Sequence, residues 1–363
     1  MELEHGLGPR ISAGEFLLDE SRARQKLQQF RLVNPRRYVL ELVKAAHLLG
    51  ATRIEFELNR RELEMRFNGE PIEPAEIENL ASFVFSERRT KKQRALRHLA
   101  IAVQAAGGLH LETFKLHVET ANFRHGHPSS EELARPMMRL ALKKRAWYRL
   151  LFEEAKPAEL LEEEILQRHC AYASIPIFLN GKRISRGMEL DGQALIRVEI
   201  QTEHERGRLW MTDIQDRWHQ IEVGLMQHGV IISSKKYNDP LVGGTAIIDS
   251  DRLTTNLSQS EFVEDAAFSE VHDVVLVMAQ LRGVIAYLEQ LPPGHRHFIS
   301  SHGTTIRRLV VRAHIAFARL GRGAAVEKLY EQFLRAVERL PIYYVANPPL
   351  GRENELVSIA ELR

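Results

Sequence analysis

Cysteine occurs once in 363 residues, at Cys170. One thiol excludes an internal disulfide framework, and it leaves too few soft ligands for a cysteine-built zinc centre. Aromatic residues make up only 7% of the chain, so its core has to come mainly from aliphatic side chains. Charge of one sign is also missing. Fifty basic residues stand against forty-eight acidic ones, a net charge of +2. That balance gives no chain-wide case for nucleic acid. No window approaches the roughly 18 apolar residues expected of a membrane helix. The opening "MELEHGLGPR" has no apolar stretch of the signal-peptide kind. These absences predict a soluble, cytoplasmic protein with no membrane contact. The length predicts two or three domains, each with its own core.

What is present divides by period. Residues 14–32 read as a short strand and a helix. Residues 35–49 read as a second helix, with Pro35 in its first turn and Gly50 as its stop. Val39, Leu42, Val43, Ala46 and Leu49 form one apolar stripe at helical spacing. The period then changes to two. Ile54, Phe56 and Leu58 alternate with charged residues, as do Leu63, Met65 and Phe67, so a hairpin is predicted. Helices are predicted at 73–86 and 93–106, and a strand at Phe114, Leu116 and Val118. Residues 122–170 read as a polar, helical connector that includes "ELARPMMRLALKKRAWYRLLFEEA". From 175 a β-rich block begins, followed by a long helix at about 260–290 and amphipathic helices over 303–339. The expected organisation is therefore a first domain over 1–121, a connector over 122–174, a second domain over 175–291 and a C-terminal helical region with a tail over 292–363.

Two motifs carry a resemblance. "ELVKAAHLLGATRI" (41–54) resembles the first ATP-site helix of the GHKL superfamily, which comprises Hsp90, MutL, gyrase and the histidine kinases. "IIDSDRLTTNLSQSEFVEDAAF" (247–268) is similar to a stretch of the Hsp90 middle domain. The resemblance spans about 280 residues. It implies an α+β chain: a Bergerat-type sandwich, with helices on one face of a mixed or antiparallel sheet, then a middle domain like ribosomal S5 domain 2. It also implies which residues matter. Glu41 stands where the family has its general base, and Asn68 and Gly69 stand in the nucleotide-binding turn.

The remaining ligand positions depart from the family pattern. Ala45 replaces the asparagine that holds Mg²⁺, and Phe67 replaces the aspartate that reads adenine. Pro71 replaces a glycine, and Gln259 replaces the arginine that reaches the γ-phosphate. No glycine lies between Glu70 and Ala106, so the glycine-rich lid is missing too. A lost hydrogen bond to a charged group costs about 1.5–3 kcal/mol, and a lost cation at the developing charge costs about 10³-fold or more in phosphoryl transfer. The reading that follows is an Hsp90-like pseudo-ATPase without ATP or metal, acting through other proteins as a scaffold or chaperone-like regulator, with a homodimer open. The alternatives are a divergent ATP- and Mg-dependent switch with Glu41 as base, and a MutL- or topoisomerase-like module on nucleic acid.

Single residues carry paired readings. Glu41 is either that base or a surface glutamate flanked by Arg37 and Lys44, and the flanked pairing is favoured. Ala45, Ala46, Phe67 and Ala100 read as core, with an apolar ligand pocket as the alternative. His125, His127, His295, His297 and His302 read as polar loop residues rather than zinc ligands. Ser233, Ser234, Lys235 and Lys236 read as a solvated turn, with either lysine open as a substitute cation. The basic runs at 88–97 and 143–149 read as a solvated face or lid, with phosphate or acidic-partner binding as the alternative. In 303–339, Ile306, Leu309, Val310, Ala313 and Phe317 form a stripe expected to pack on the second domain or another copy, with a partner groove, or a membrane surface or nucleic acid, as the alternatives.

Overall fold

A computed structural model describes residues 34–59, 62–84, 90–107, 111–118, 123–125, 136–144, 161–190, 192–213, 220–238, 241–256, 258–291, 296–340, 343–344 and 356–357, with Leu32, Leu109, Ser129 and Glu132. The strand and helix expected at 14–32, together with His127 and His295, lie outside the described residues, Leu32 excepted.

The first sheet has six strands: β1 (Ile54–Leu58), β2 (Glu62–Asn68), β3 (Leu111–Val118), β4 (Met137–Lys144), β5 (Ile177–Leu179) and β6 (Lys182–Arg183). Their order is β3-β4-β2-β1-β5-β6, antiparallel except for the parallel pair β1–β5. Register explains the burial. Ile177, Ile54, Phe67 and Met138 form one row across the sheet, and Leu179, Phe56, Met65 and Leu140 form the next. All eight are buried. The other face carries Glu64, which Arg66 and Arg139 hold at 2.6 and 2.9 Å. One face is thus apolar and the other charged, the pattern of a half-covered sheet.

Three helices cover the apolar side. They are α1 (Tyr38–Leu48), entered through a 3-10 turn at Pro35–Arg37; α3 (Lys91–Gly107); and α4 (Leu161–His169). A short helix, α2 (Pro74–Glu78), and a 3-10 turn at Leu80–Val84 occupy the segment read as one helix over 73–86. Two strands correct the sequence reading. Residues 137–144, expected to be helical, form β4, because Met138, Leu140 and Leu142 recur at every second residue, between Arg139, Ala141 and Lys143, and fill the apolar row. Residues 177–183, assigned to the second block, complete the first sheet through Ile54↔Ile177 pairing.

The second sheet has five strands: β7 (Ile196–Gln201), β8 (Glu205–Asp213), β9 (Gln220–Gln227), β10 (Val230–Asn238) and β11 (Gly243–Ser250), in the order β10-β9-β11-β8-β7. Lys235 and Lys236, read as a turn, lie within β10 and pair with Val223 and Glu222 of β9. The apolar run Val230–Ile232 starts a strand that the alternating register carries through the lysines.

One face of this sheet packs on a helical run formed by α5 (Ala266–Glu270), a π turn (Val271–Leu276) and α6 (Val277–Gln290). On length and composition, Ala266–Gln290 is apolar enough to cross a membrane, contrary to the expectation above. Half of its most apolar window is buried within this protein, as in a core helix covering a sheet. Helices α7 (Arg296–Leu320) and α8 (Ala324–Glu338) follow and pack on α6. His297 and His302 fall inside α7 rather than in a loop. The stripe Ile306, Leu309, Val310, Ala313 and Phe317 is buried as expected. Two short strands, β12 (Tyr343–Tyr344) and β13 (Leu356–Val357), pair near the C-terminus. The α+β class read from the sequence, with helices on mixed sheets, is the class observed.

Candidate functional site

Helix α1 is buried on nearly every side, not only along its apolar stripe. It shares a core with the first sheet, packs against α3 and α4, and touches β10 of the second sheet. A helix placed this way takes its polar residues inside with it. Glu41 is 2% exposed and Lys44 is fully buried. The surface pairing expected for Glu41 is therefore overturned. Lys44 Nζ donates to Glu41 Oε1 at 2.7 Å, and Glu41 Oε2 lies 2.6 Å from Nδ1 of His98 on α3. Both carboxylate oxygens are occupied. Burial pushes the Glu41 pKa up, but Lys44 and His98 outweigh it and hold the carboxyl down at about 2.

Lys44 also reaches across to the second half of the chain. Its Nζ donates to Gln259 Oε1 at 3.2 Å, and Thr255 Oγ1 donates to the same oxygen at 2.8 Å. Gln259 sits on a tight loop. Asn256 Oδ1 accepts from Ser260 N at 3.0 Å, and Gln259 N donates to Asn256 O at 3.0 Å. The loop holds Gln259 at φ +55°, a left-handed conformation that non-glycine residues rarely take. Strain of this kind persists where the surroundings over-determine it. The result is a chain His98–Glu41–Lys44–Gln259–Thr255, buried at its three central members and half-buried at its ends, that joins α3 and α1 to the loop after β11. It unites Glu41 and Gln259, two of the positions singled out by the sequence. Lys44 and His98 were missed as members. The i, i+3 spacing of Glu41 and Lys44 was visible, but their burial depends on packing from both halves of the chain.

Beside this chain lies a small polar cavity of about 60 Å³, with Arg94, Arg97, His98, His228 and Asp251 in its wall. The His98 and His228 rings meet edge to face at 5.8 Å, and His47 of α1 lies 6.3 Å from His228. His228 Nδ1 is 3.1 Å from Asp251 Oδ1, yet the alignment makes no hydrogen bond. Burial lowers the His228 pKa to about 4, against the opposing pull of Asp251, so the ring is neutral near pH 7.

The positions of the nucleotide-binding turn are engaged in structure. Asn68 is fully buried, and its Oδ1 accepts from Thr52 N at 2.9 Å and Arg53 N at 3.3 Å. Its Nδ2 donates to Thr52 Oγ1 at 2.8 Å and Glu132 O at 2.9 Å. Gly69 has φ +155°, and a Cβ there would lie 2.6 Å from the carbonyl oxygen of Leu49. Glu70 N donates to that same oxygen at 2.8 Å. Glycine is thus set by the close approach of β2 to the end of α1. Ala45, Ala46, Phe67 and Ala100 are buried in one continuous apolar core, and Pro71 is half-buried.

The other candidates lie apart. Lys235 Nζ donates to Glu264 at 2.8 Å and sits 5.5 Å from the Phe268 ring centre, away from Gln259's partners. His125 pairs with Glu57 on the charged face of the first sheet. Among the described residues, no group of three or more His, Cys, Asp or Glu is placed to hold a metal ion.

No protein-family model matches the chain, and no curated protein matches it. Solved structures do overlap with it. The ATPase region of Saccharomyces cerevisiae topoisomerase II aligns at 10% identity over 62% of this chain and 75% of that one, with a TM-score of 0.33. The ATPase domain of the mismatch repair endonuclease MutL from Aquifex aeolicus aligns at 14% identity over 67% of this chain and 98% of that one, with a TM-score of 0.30. At such low identity and TM-score, these likenesses establish neither an activity nor a ligand for this chain.

Proposed function

We propose that this chain is a GHKL-type, Hsp90-like pseudo-ATPase that acts by binding other proteins, as a scaffold or chaperone-like regulator. The observation that carries the reading is the placement of Lys44 between Glu41 and Gln259. A glutamate that activates water needs an oxygen facing that water and a pKa near the working pH. Glu41 has both oxygens occupied and a pKa held at about 2. Where the resemblance implies a metal-holding asparagine and an adenine-reading aspartate, Ala45 and Phe67 fill core. Where it implies an arginine on the γ-phosphate, Gln259 accepts a hydrogen bond from the protein's own ammonium. The contact between the two halves, which a nucleotide would bridge in a working ATPase of this plan, is made here by side chains.

Calorimetric titration of the full chain with ATP and Mg²⁺ tests the reading. No saturable heat is expected at millimolar nucleotide, and a micromolar Kd would overturn it. Phosphate release in the presence of ATP should equal background and stay unchanged in Glu41→Ala. Release that is lost in that variant would favour the divergent ATPase instead.

A further inference from the structure

Helix α7 holds Arg307, Arg308, Arg312 and Arg319 and contains no Asp or Glu. Its inner stripe is buried against α6 and α8, but its outer side is not bare polar surface. Val311 is 57% exposed and Ile315 is 48% exposed. With Arg308, Arg319 and Arg322, all exposed, they make a ridge in which Val311 and Ile315 are flanked by cationic side chains. From Arg308 to Arg319, within α7, the ridge is about 16 Å long at 1.5 Å per residue, and Arg322 follows just past the helix end. No ion pair to Arg308, Arg319 or Arg322 is found among the described residues. Alongside the ridge runs a cleft of about 560 Å³ between α7, the second sheet and the π turn. Leu241, Leu276, Ile315 and Leu320 supply its apolar lining, Arg312 and Arg319 stand on one wall, and Asp273 stands on the other. A π turn is a rare departure from helix geometry that recurs at functional sites.

We propose that this cleft and ridge bind an acidic amphipathic helix of a partner protein. The partner's leucine-like residues would enter the cleft beside Ile315 and Leu276, and its carboxylates would meet Arg308 and Arg319. This deepens the protein-binding reading above by naming the partner's chemistry, and the cleft's residues are separate from those of the Glu41–Lys44–Gln259 chain. The length of the ridge calls for an elongated occupant rather than a small molecule. The apolar lining of the cleft, Leu241, Leu276, Ile315 and Leu320, fits the apolar side chains of a peptide better than a phosphate backbone. A lipid surface needs a protruding apolar face, whereas here much of the apolar surface lines a concavity.

The test uses the full chain and a fluorescent synthetic helix of 18 residues, with leucine at i, i+3, i+4 and i+7 positions and glutamate elsewhere. Anisotropy should show saturable, micromolar, salt-sensitive binding. The double variant Arg308→Glu/Arg319→Glu should weaken it at least tenfold, and so should Ile315→Glu. These positions are exposed, and circular dichroism checks that the variants fold. Arg335→Glu on α8, outside the cleft, should leave affinity unchanged. A peptide with lysine in place of every glutamate should not bind. The proposal is overturned if that lysine peptide binds as well, if the charge-reversed variant binds normally, or if a DNA duplex or phosphatidylserine vesicles bind more tightly than the acidic helix. Micromolar ATP binding in the calorimeter would sink the pseudo-ATPase reading and leave this result standing.

Discussion

Lys44 is the residue on which most of the local energetics turns. Its ammonium lies 2.7 Å from the buried Glu41 carboxylate. Lys44→Met keeps the volume but strands that carboxylate, a defect that costs about 3–5 kcal/mol when one partner of a buried pair is removed. Chemical denaturation should show that loss, and Glu41→Gln/Lys44→Met should recover much of it, since replacing both partners removes the stranded charge. Acid titration reads two other side chains. Burial drops the His228 pKa from 6.5 to about 4. Between those values the unfolded chain binds more protons than the folded one, so stability falls as pH drops through that window. The size is about 3 kcal/mol at 1.36 kcal/mol per pKa unit. Glu41 acts in a lower window. Its pKa goes from 4.5 to about 2, so its contribution is full above 4.5 and is lost as pH falls toward 2. Thermal melts across pH should therefore show two descending steps, and His228→Gln should remove the upper one only.

The link between α1 and β2 is an element-scale device. Gly69 lets β2 approach the last carbonyls of α1, and Asn68 ties the Thr52–Arg53 turn to the same strand. Gly69→Ala must displace backbone at the Leu49 carbonyl, so a loss of about 1–3 kcal/mol is expected, as for overpacking elsewhere. A melting temperature within a degree of the parent would refute this account. Elements with a clean period were legible in the sequence. The α1 stripe, the β1–β2 hairpin and the apolar stripe of α7 all stand where spacing put them. Strand β4 was not, because Met, Leu, Ala, Arg and Lys are good helix formers and the strand is decided by the vacant row beside β2. Lys235 and Lys236 were misplaced for a similar reason, since edge-strand lysines look like loop composition. Gln259 was found by motif and Glu41 by motif, yet their connection through Lys44 is a tertiary fact that no local window contains.

At the scale of the whole molecule, two sheets with their helices meet around α1. The chain from His98 to Thr255 is one part of that junction, and the contacts of α1 and α4 with β10, including the His169 Nδ1–Ile231 O approach at 2.6 Å, are the other. Gln259→Ala removes the acceptor that Lys44 finds in the second half. It should weaken the junction without unfolding either sheet, so limited proteolysis should cut faster while the far-ultraviolet spectrum stays the same. Unchanged cleavage would mean that the other contacts of α1 and α4 with β10 hold the halves. Cys170 offers a clock for the same event. It is fully buried at the end of α4, and burial pushes its thiol up to about 12, with Lys44's charge pulling weakly the other way. In the closed molecule it is both hidden and protonated, so a maleimide or disulfide reagent can react only in moments when α4 lifts away. Because no other cysteine competes, the labelling rate of the unmodified protein counts those openings directly. A partner that clamps the two halves together would slow it, and one that pries them apart would speed it.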